Sequence, residues 1–355
     1  MRIGIDGRAF TGQPGGTGRY VHELMRGLDA MCPEADFVLY LRRDPGMEPL
    51  SPRWRFRIDR SPWRRLPGPA WSRWALPRLI RDDRLDVFWA AAAIVPRSID
   101  TPSVMTVFDL THRIFPASMP VATRWGHHLW FAKSLREAAR RIAISQGTAM
   151  RVWEMYGIRC DDVIAPSLGP VFDHPPARDT HVDTDYILSV ATREPRKNLS
   201  ALLLAMERIN AGRASPIELR LVGGKGWGKS VSTEGLRLLS APWCHVLGYV
   251  PDHALPALYA DARAFAFPSI YEGYGIPVAE AATCGTPIVT TDIPELREAA
   301  AADAIFVGTS PDAIFRGLEQ VLRRPREDAA VQRTAGDRLD GARRLSAQLR
   351  AAVRR

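Results

Sequence analysis

Short apolar runs alternate along the chain with longer segments in which apolar residues recur every three or four positions. The short runs predict buried strands of a parallel sheet, and the longer segments predict helices that pack on it. In the first half the runs lie at residues 3–5, 37–41, 86–90, 103–108, 141–145 and 162–166. In the second half they lie at residues 186–190, 219–222, 245–250, 265–268, 288–292 and 304–308. Such alternation is typical of an α/β protein.

Helical spacing follows the strand runs in both halves. It is clearest at residues 21–28, where Val21, Leu24, Met25 and Leu28 share one face, and in the segment that begins at Leu199. Further helices are predicted at 121–140, from 252 to 259, from about 311, and at 336–355. The last segment carries six arginines and spaced apolar residues, so a basic amphipathic helix is expected there.

A polar, proline-rich stretch at residues 173–184 predicts a linker between two domains. The chain has 355 residues, which suffices for two separate cores. We therefore predict an N-terminal domain (1–170), a C-terminal domain (171–335) and a C-terminal basic helix (336–355).

Composition places the chain among globular proteins, with 46% hydrophobic and 25% charged residues. No run of about 18 apolar residues predicts a membrane span, and the N-terminus lacks the apolar core of a signal peptide. Four scattered cysteines predict reduced thiols in a cytoplasmic protein, and no Cys/His cluster predicts zinc.

The net charge of +9 is concentrated in residues 53–81. This stretch holds nine arginines, one acid (Asp59) and four tryptophans, Trp54, Trp63, Trp71 and Trp74. Its prolines exclude one long helix, but residues 71–79 are predicted to present one face of a short helix. Anionic lipid is one partner for such a surface. Alternatively, the tryptophans pack in the core and the arginines are solvated. No nucleic-acid motif accompanies the charge, so no nucleic-acid partner is predicted.

Residues 271–287 predict a strand end, a glycine turn and a short helix that ends at Gly285. Gly273 and Gly275 permit a positive φ in the turn. Glu272 lies in the turn, and Glu280 lies about one helical turn into the helix. The helix N-terminus attracts phosphate, and the carboxylates can accept sugar hydroxyls. An ordinary strand–turn–helix with two solvated glutamates is the alternative.

The run Pro-Ser-x-Tyr-Glu-Gly-Tyr-Gly-x-Pro-x-x-Glu-Ala at residues 268–281 resembles the signature of the group 1, family 4 retaining glycosyltransferases. The resemblance implies the GT-B fold, which has two Rossmann-like domains with parallel sheets facing across a cleft and a C-terminal helix that crosses back to the first domain. The aromatic-containing motif that usually precedes this helix in the family is not obvious here, so a frayed or membrane-facing C-terminus is the alternative. It also implies that Glu272 contacts the donor sugar and Glu280 the nucleotide ribose. The implied donor-binding residues further include Gly273, Tyr274, Gly275 and Ile276.

Two more segments of the second half resemble this family. Residues 192–198 (Thr-Arg-Glu-Pro-Arg-Lys-Asn) are similar to a motif whose cations bind the donor diphosphate, which implies Arg196 and Lys197 as ligands. Without the resemblance, the residues alone would favour an exposed basic turn with no ligand. The glycine-rich run at residues 219–228 resembles the strand that frames the nucleobase pocket.

The first half carries two similar segments. The glycine loop at residues 11–20 resembles a family loop that faces the donor diphosphate, which implies Gly15 and Gly16 as donor-binding residues. Many relatives place a His-Asp pair after the fourth strand, where this chain has Phe108 and Asp109. Asp109 is therefore the acceptor-side candidate. His112 is either a substitute for the missing imidazole or a structural residue.

Together the motifs imply a retaining transferase for a hexose, with mannose from GDP-mannose as the expected donor. The acceptor would be a hydroxyl of a glycan or lipid-linked glycan in polysaccharide biosynthesis. Asp109, Lys197 and Glu272 are the expected catalytic residues, without metal or cofactor. The alternatives are a UDP-sugar enzyme (glucose or GlcNAc) and a non-catalytic sugar-nucleotide-binding protein. A cytoplasmic location is expected, at the inner face of the membrane with peripheral contact to anionic lipid.

Overall fold

The computed structural model describes residues 1–10, 15–177, 185–224, 226, 231–324 and 336–354. The chain divides into two compact units, one of Met1–Ser167 with Gly336–Arg355 and one of Leu168–Ala335. Each unit is a parallel sheet with helices. None of the helices in the described ranges is long and apolar enough to cross a bilayer.

The first unit is built on a seven-stranded parallel sheet. Its strands are β1 (Arg2–Asp6), β2 (Asp36–Leu41), β3 (Trp54–Ile58), β4 (Val87–Ala90), β5 (Ser103–Val107), β6 (Arg140–Ala143) and β7 (Asp162–Val163). Their spatial order is β3-β2-β1-β4-β5-β6-β7, so the chain extends the sheet to one side of β1 and then returns to add β4 on the other side. The described residues before the second unit form the helices α1 (Gly16–Met31), α2 (Gly68–Ala70), α3 (Leu76–Ile80), α4 (Thr111–Ile114), α5 (Val121–Glu137) and α6 (Gln146–Tyr156).

The arginine- and tryptophan-rich stretch is partly core and partly surface, because Trp54 and Trp71 are buried whereas Trp63 and Trp74 are exposed. It begins with β3, a strand that the prediction missed although Trp54, Phe56 and Ile58 alternate with arginines. The single helical face predicted for residues 71–79 is wrong. A π-helical turn (Trp71–Ala75) precedes α3, and it buries Trp71 while Trp74 stays 41% exposed.

The second unit holds a six-stranded parallel sheet. Its strands are β8 (Tyr186–Val190), β9 (Glu218–Val222), β10 (Cys244–Gly248), β11 (Ala264–Phe267), β12 (Ile288–Thr291) and β13 (Ile305–Val307). Their order is β10-β9-β8-β11-β12-β13, so the direction of winding reverses between β8 and β11. Ligands of open α/β sheets bind beyond the carboxyl ends of the strands at such a reversal.

In the part of this unit that the structure describes, the sheet is accompanied by the helices α7 (Leu199–Asn210), α8 (Thr233–Leu238), α9 (Leu255–Asp261), α10 (Ile276–Thr283), α11 (Pro294–Ala299) and α12 (Pro311–Arg323). Helix α7 shows why the apolar spacing predicted it. Leu199, Leu202, Leu203 and Met206 are all buried, and they belong to one core with strand residues such as Leu219. Each such burial contributes roughly 1.5–3 kcal/mol.

The chain ends in helix α13 (Arg338–Val353), which returns to the first unit and packs on α1. The approach is close, because a Cβ on Gly27 would lie 2.4 Å from the Cβ of Ala342. Arg338 also forms an ion pair with Glu23. The predicted return of the C-terminal helix to the first domain is therefore confirmed.

Candidate functional site

The turn between β11 and α10 depends on one glycine. Gly275 has a φ of +104° and precedes the first residue of α10, and a Cβ there would lie 2.5 Å from Leu296 Cδ2. Gly273, which also permits a positive φ, does not adopt one. At the other end Gly285 adopts a φ of +68°, and the Thr286 amide donates to the Ala281 carbonyl at 2.9 Å. This bond pattern is a Schellman motif, so the predicted helix stop is confirmed.

Glu272 joins two cations that come from a distant part of the chain. Its Oε2 accepts a hydrogen bond from Arg196 Nη1 at 2.7 Å, and its Oε1 accepts one from Lys197 Nζ at 2.5 Å. The cations follow β8 and the carboxylate follows β11, which are neighbouring strands. The structure thus brings these three predicted site residues together where the sheet reverses its winding.

Arg196 ties the two loops together through further bonds. Its Nε donates to Glu194 Oε2 at 2.9 Å, and its Nη1 also donates to the Tyr271 carbonyl at 3.1 Å. Its own carbonyl accepts from the Ile270 amide at 2.8 Å. A planar guanidinium can hold two carboxylates in a fixed geometry, which a lysine ammonium cannot.

The electrostatics of the cluster are those of buried, mutually compensating charges. Burial alone would raise the pKa of the Glu272 carboxyl, but the charges of Arg196 and Lys197 outweigh it and lower that pKa to about 2. Burial lowers the pKa of Lys197, and the Arg196 charge adds to that effect while Glu272 opposes it. The Lys197 ammonium also lies 4.9 Å from the centre of the Phe267 ring.

Glu280 is buried on α10, on the side of the helix that faces α9. Its Oε2 accepts a hydrogen bond from the Tyr259 hydroxyl at 2.7 Å. Burial raises the pKa of the neighbouring Cys284 thiol to about 12, and the Glu280 charge contributes. Tyr274, which lies between the two glutamates in sequence, is also buried, and burial raises the pKa of its phenol.

The backbone after β8 lies against the glycine-rich loop that follows β9. Gly223 has a φ of +129°, and a Cβ there would lie 2.2 Å from the Ala191 carbonyl oxygen. A Cβ on Gly226 would lie equally close to the Arg193 carbonyl oxygen. These contacts leave no room for side chains, so the two glycines permit the loops to meet. The rest of the predicted nucleobase segment, Lys225 and residues 227–228, lies outside the described residues.

In the first unit, Gly15 and Gly16 form the N-terminal end of α1. Gly15 is the N-cap residue, it is exposed, and a Cβ on it would meet nothing within 4 Å. Residues 11–14 of the predicted glycine loop lie outside the described residues. The helix dipole and the backbone amides of the first turn make the start of this 16-residue helix suited to an anion.

Asp109 and Phe108 follow β5. Asp109 Oδ1 accepts a hydrogen bond from the Thr111 amide at 2.9 Å, at the start of α4. The Phe108 ring meets the Tyr20 ring edge-on, with the ring centres 5.3 Å apart. The Phe108 side chain is therefore held by an aromatic contact with α1.

His112 lies in the core of the first unit. Its Nε2 is 3.0 Å from the Tyr156 hydroxyl, and its ring lies against Phe131. Burial lowers its pKa to about 4, partly offset by Asp109. The structural alternative for His112 matches this position.

The sequence prediction overlooked two residues of the second-unit site. Glu194 lies within the Thr-Arg-Glu-Pro-Arg-Lys-Asn segment, but the sequence predicted no role for its carboxylate, which accepts a hydrogen bond from Arg196. Tyr259 lies at the end of the helix predicted from 252 to 259 and had no predicted role, because no local pattern links it to a glutamate 21 residues later.

Two family models match the chain in consecutive blocks. "Glycosyltransferase Family 4" matches residues 14–165, and "Glycosyl transferases group 1" matches residues 173–338. The chain is 40% identical over 141 residues to O-antigen chain mannosyltransferase B of Escherichia coli, and this match covers 39% of the chain. It spans only 37% of the length of that relative.

Solved structures share the fold at low sequence identity. Sucrose-phosphate synthase from Thermosynechococcus elongatus is 18% identical with a TM-score of 0.71, and the match covers 100% of this chain and 97% of the other. Anabaena Alr3699/HepE in complex with UDP and glucose is 14% identical with a TM-score of 0.68, and the match covers 99% of this chain and 100% of the other.

Proposed function

Because the chain belongs to the group 1, family 4 glycosyltransferases, we propose that it is a retaining hexosyltransferase that uses a nucleoside-diphospho-sugar. The observation that carries the proposal is the cluster of Arg196, Lys197 and Glu272 at the point where the second sheet reverses its winding. This is the position at which open α/β sheets bind nucleotides.

In the proposed mechanism Arg196 and Lys197 bind the donor diphosphate. A bond forms between the acceptor oxygen and C1 of the sugar while the bond from C1 to the phosphate oxygen breaks. The acceptor proton passes to the leaving diphosphate on the same face of the sugar. The two cations stabilise the charge that develops on the leaving group, which is a role that Mg²⁺ plays in other transferases. The reaction is proposed to be metal-independent for this reason.

For the remaining site residues we propose the roles that the resemblance to the family implies. Glu272 lies in the turn before α10 and is proposed to accept hydrogen bonds from the hydroxyls of the donor sugar. Glu280 is proposed to accept hydrogen bonds from the ribose hydroxyls. Its carboxylate already accepts one hydrogen bond from the Tyr259 hydroxyl, and it has further lone pairs that can accept others. Gly15 and Gly16 are proposed to face the diphosphate, and Asp109 the acceptor hydroxyl.

Mannose is the proposed sugar and GDP-mannose the proposed donor. The similarity to an O-antigen chain mannosyltransferase of E. coli supports this choice. A UDP-sugar is the second candidate, supported by the likeness in fold to a protein solved with UDP and glucose. The acceptor is proposed to be a glycan or a lipid-linked glycan of polysaccharide biosynthesis.

Peripheral contact with an anionic membrane is proposed for the first unit, on the cytoplasmic side. Helix α5 exposes a line of apolar side chains at four-residue spacing, with Val121 61%, Trp125 55% and Leu129 58% exposed. It meets the arginine-rich stretch where the Trp74 and Trp130 rings lie 6.5 Å apart. Exposed tryptophans beside arginines suit a lipid headgroup layer. Binding to vesicles with phosphatidylglycerol, lost on Trp125→Ser with Leu129→Ser, would support this part.

Turnover tests the catalytic proposal. Purified protein is incubated in EDTA with GDP-mannose, UDP-glucose or UDP-GlcNAc, and the released nucleoside diphosphate is measured. One donor is expected to be consumed, and Lys197→Met is expected to abolish its consumption. Lys133→Met, which changes an exposed lysine of the first unit, serves as the control. Binding of a nucleotide-sugar without any turnover, with or without added glycan acceptor, would favour the non-catalytic alternative.

A further inference from the structure

A set of four charged side chains is linked by consecutive ion pairs in the second-unit site. Glu194, Arg196, Glu272 and Lys197 are joined in that order by ion pairs of 2.9, 2.7 and 2.5 Å. Two carboxylates face two cations, so the formal charge of the set is zero. The side chains are between 7% and 15% exposed, and little solvent screens these pairs.

The two carboxylates hold Arg196 in different ways. Glu194 binds the Nε side of the guanidinium, whereas Glu272 binds Nη1 and also reaches Lys197. Only Glu272 therefore links both cations, with one oxygen on each. A diphosphate that binds the same two cations presents the same kind of acceptor, a pair of anionic oxygens. It must compete with Glu272 but leaves the bond to Glu194 intact.

Resting on the proposed function, we propose that the donor diphosphate replaces Glu272 on Arg196 and Lys197, and that this exchange releases the Glu272 carboxylate to bind the hydroxyls of the donor sugar. Glu194 acts as a positioning residue, because it holds the guanidinium in place while its other partner changes.

The exchange has a consequence for the order of events. A complete donor compensates Glu272 for its lost ion pairs with sugar hydroxyls, but the nucleoside diphosphate product offers it none. After transfer, Glu272 competes with the product for both cations. The site therefore favours donor over product and promotes product release.

Two substitutions separate this exchange from a general effect of charge. Glu272→Gln and Glu194→Gln each remove one negative charge next to Arg196. The dissociation constant of GDP is measured by calorimetry for both variants and the wild type, with UDP in its place if the wild type prefers UDP. Glu272→Gln is expected to bind the diphosphate roughly tenfold more tightly, because a charge-assisted competitor is lost. Glu194→Gln is expected to bind it no more tightly than the wild type.

The two variants together distinguish an exchange at Glu272 from a general effect of charge. Equal tightening in both variants would show a general charge effect, and unchanged or weaker binding by Glu272→Gln would show that no exchange occurs. If Glu272→Gln does not fold, Glu272→Asp replaces it, since the shorter side chain cannot span both cations and is also expected to bind the diphosphate more tightly. A wild type that binds neither GDP nor UDP contradicts the proposed function itself, which keeps the two failures distinguishable.

Discussion

Arg196 Nη1 lies 2.7 Å from Glu272 Oε2, although the two residues are 76 positions apart in the chain. Their strands, β8 and β11, are neighbours in the sheet because the chain first adds β9 and β10 on one side of β8 and then returns to its other side. The ion pair is thus a product of the winding order, and it marks the place where a diphosphate is proposed to bind.

Replacing Arg196 with lysine is expected to weaken nucleoside diphosphate binding at least tenfold. A lysine carries one ammonium group and cannot reach Glu194 and Glu272 in the fixed geometry of a guanidinium. Calorimetric titration of the Arg196→Lys variant with GDP measures the loss. Arg208→Lys, a change in an exposed ion pair with Asp312, should leave the affinity unchanged. Equal affinities for the wild type and the Arg196→Lys variant would remove Arg196 from the site.

The free energy of unfolding should fall steeply with acid because of Glu272. The pKa of this carboxyl is about 2 in the folded protein, whereas its ordinary value, expected in the unfolded chain, is 4.5. The stabilisation that the ionised carboxylate gives to the fold is therefore complete above pH 4.5 and is lost as the pH falls towards 2. The shift corresponds to roughly 3 kcal/mol. Urea unfolding at pH 5, 4 and 3 should show a flatter pH dependence for Glu272→Gln. Glu154→Gln, at an exposed carboxylate of the first unit, is the control, and a Glu272→Gln slope like that of the wild type would contradict the prediction.

Two histidines of the first unit should also make the fold sensitive to acid, in a higher window. Burial lowers the pKa of His112 to about 4 and that of His127 to about 3, against 6.5 by reference. The unfolded chain therefore takes up protons first, and stability falls as the pH drops from 6.5 towards 4. A double change of both histidines to glutamine should flatten the melting temperature between pH 7 and pH 4.5. An unchanged profile would count against neutral histidines in this core.

Gly275→Ala should destabilise the protein by about 2 kcal/mol or more. The φ of +104° strains any residue with a Cβ, and that Cβ would overlap Leu296. Gly157→Ala is the matched control, because Gly157 also has a positive φ but open space around it, and it should cost only about 1 kcal/mol. Chemical denaturation of both variants gives the comparison. Equal losses would show that the Leu296 contact carries no cost.

The periodicity predicted most of the strands and helices because burial sets their pattern. Strand β3 was not predicted, because Trp54, Phe56 and Ile58 alternate with arginines in a stretch whose composition suggested a charged surface. The burial of Trp71 beside an exposed Trp74 also needed the structure, because a π-helical turn changes which side chains share a face.

The site was predictable only where its chemistry is local. Glu272, Arg196 and Lys197 lie in recognisable motifs, whereas their mutual bonds depend on the winding of the sheet. The hydrogen bond from Tyr259 to Glu280 joins two helices, and no spacing in the sequence predicts it. The sequence does not show which of Gly273 and Gly275 takes the positive φ, nor that a Cβ on Gly275 would overlap Leu296.

The central claim is that Arg196 and Lys197 bind a nucleoside diphosphate without a metal. A thermal-shift screen of the wild type and Lys197→Met against GDP, UDP, dTDP and ADP, in EDTA and in Mg²⁺, tests it most directly. A ligand that binds only the folded state raises the melting temperature. We expect one diphosphate, GDP, to raise it equally with and without Mg²⁺, and to lose that effect in Lys197→Met. No shift with any of the four, or a shift that requires Mg²⁺, would contradict the claim.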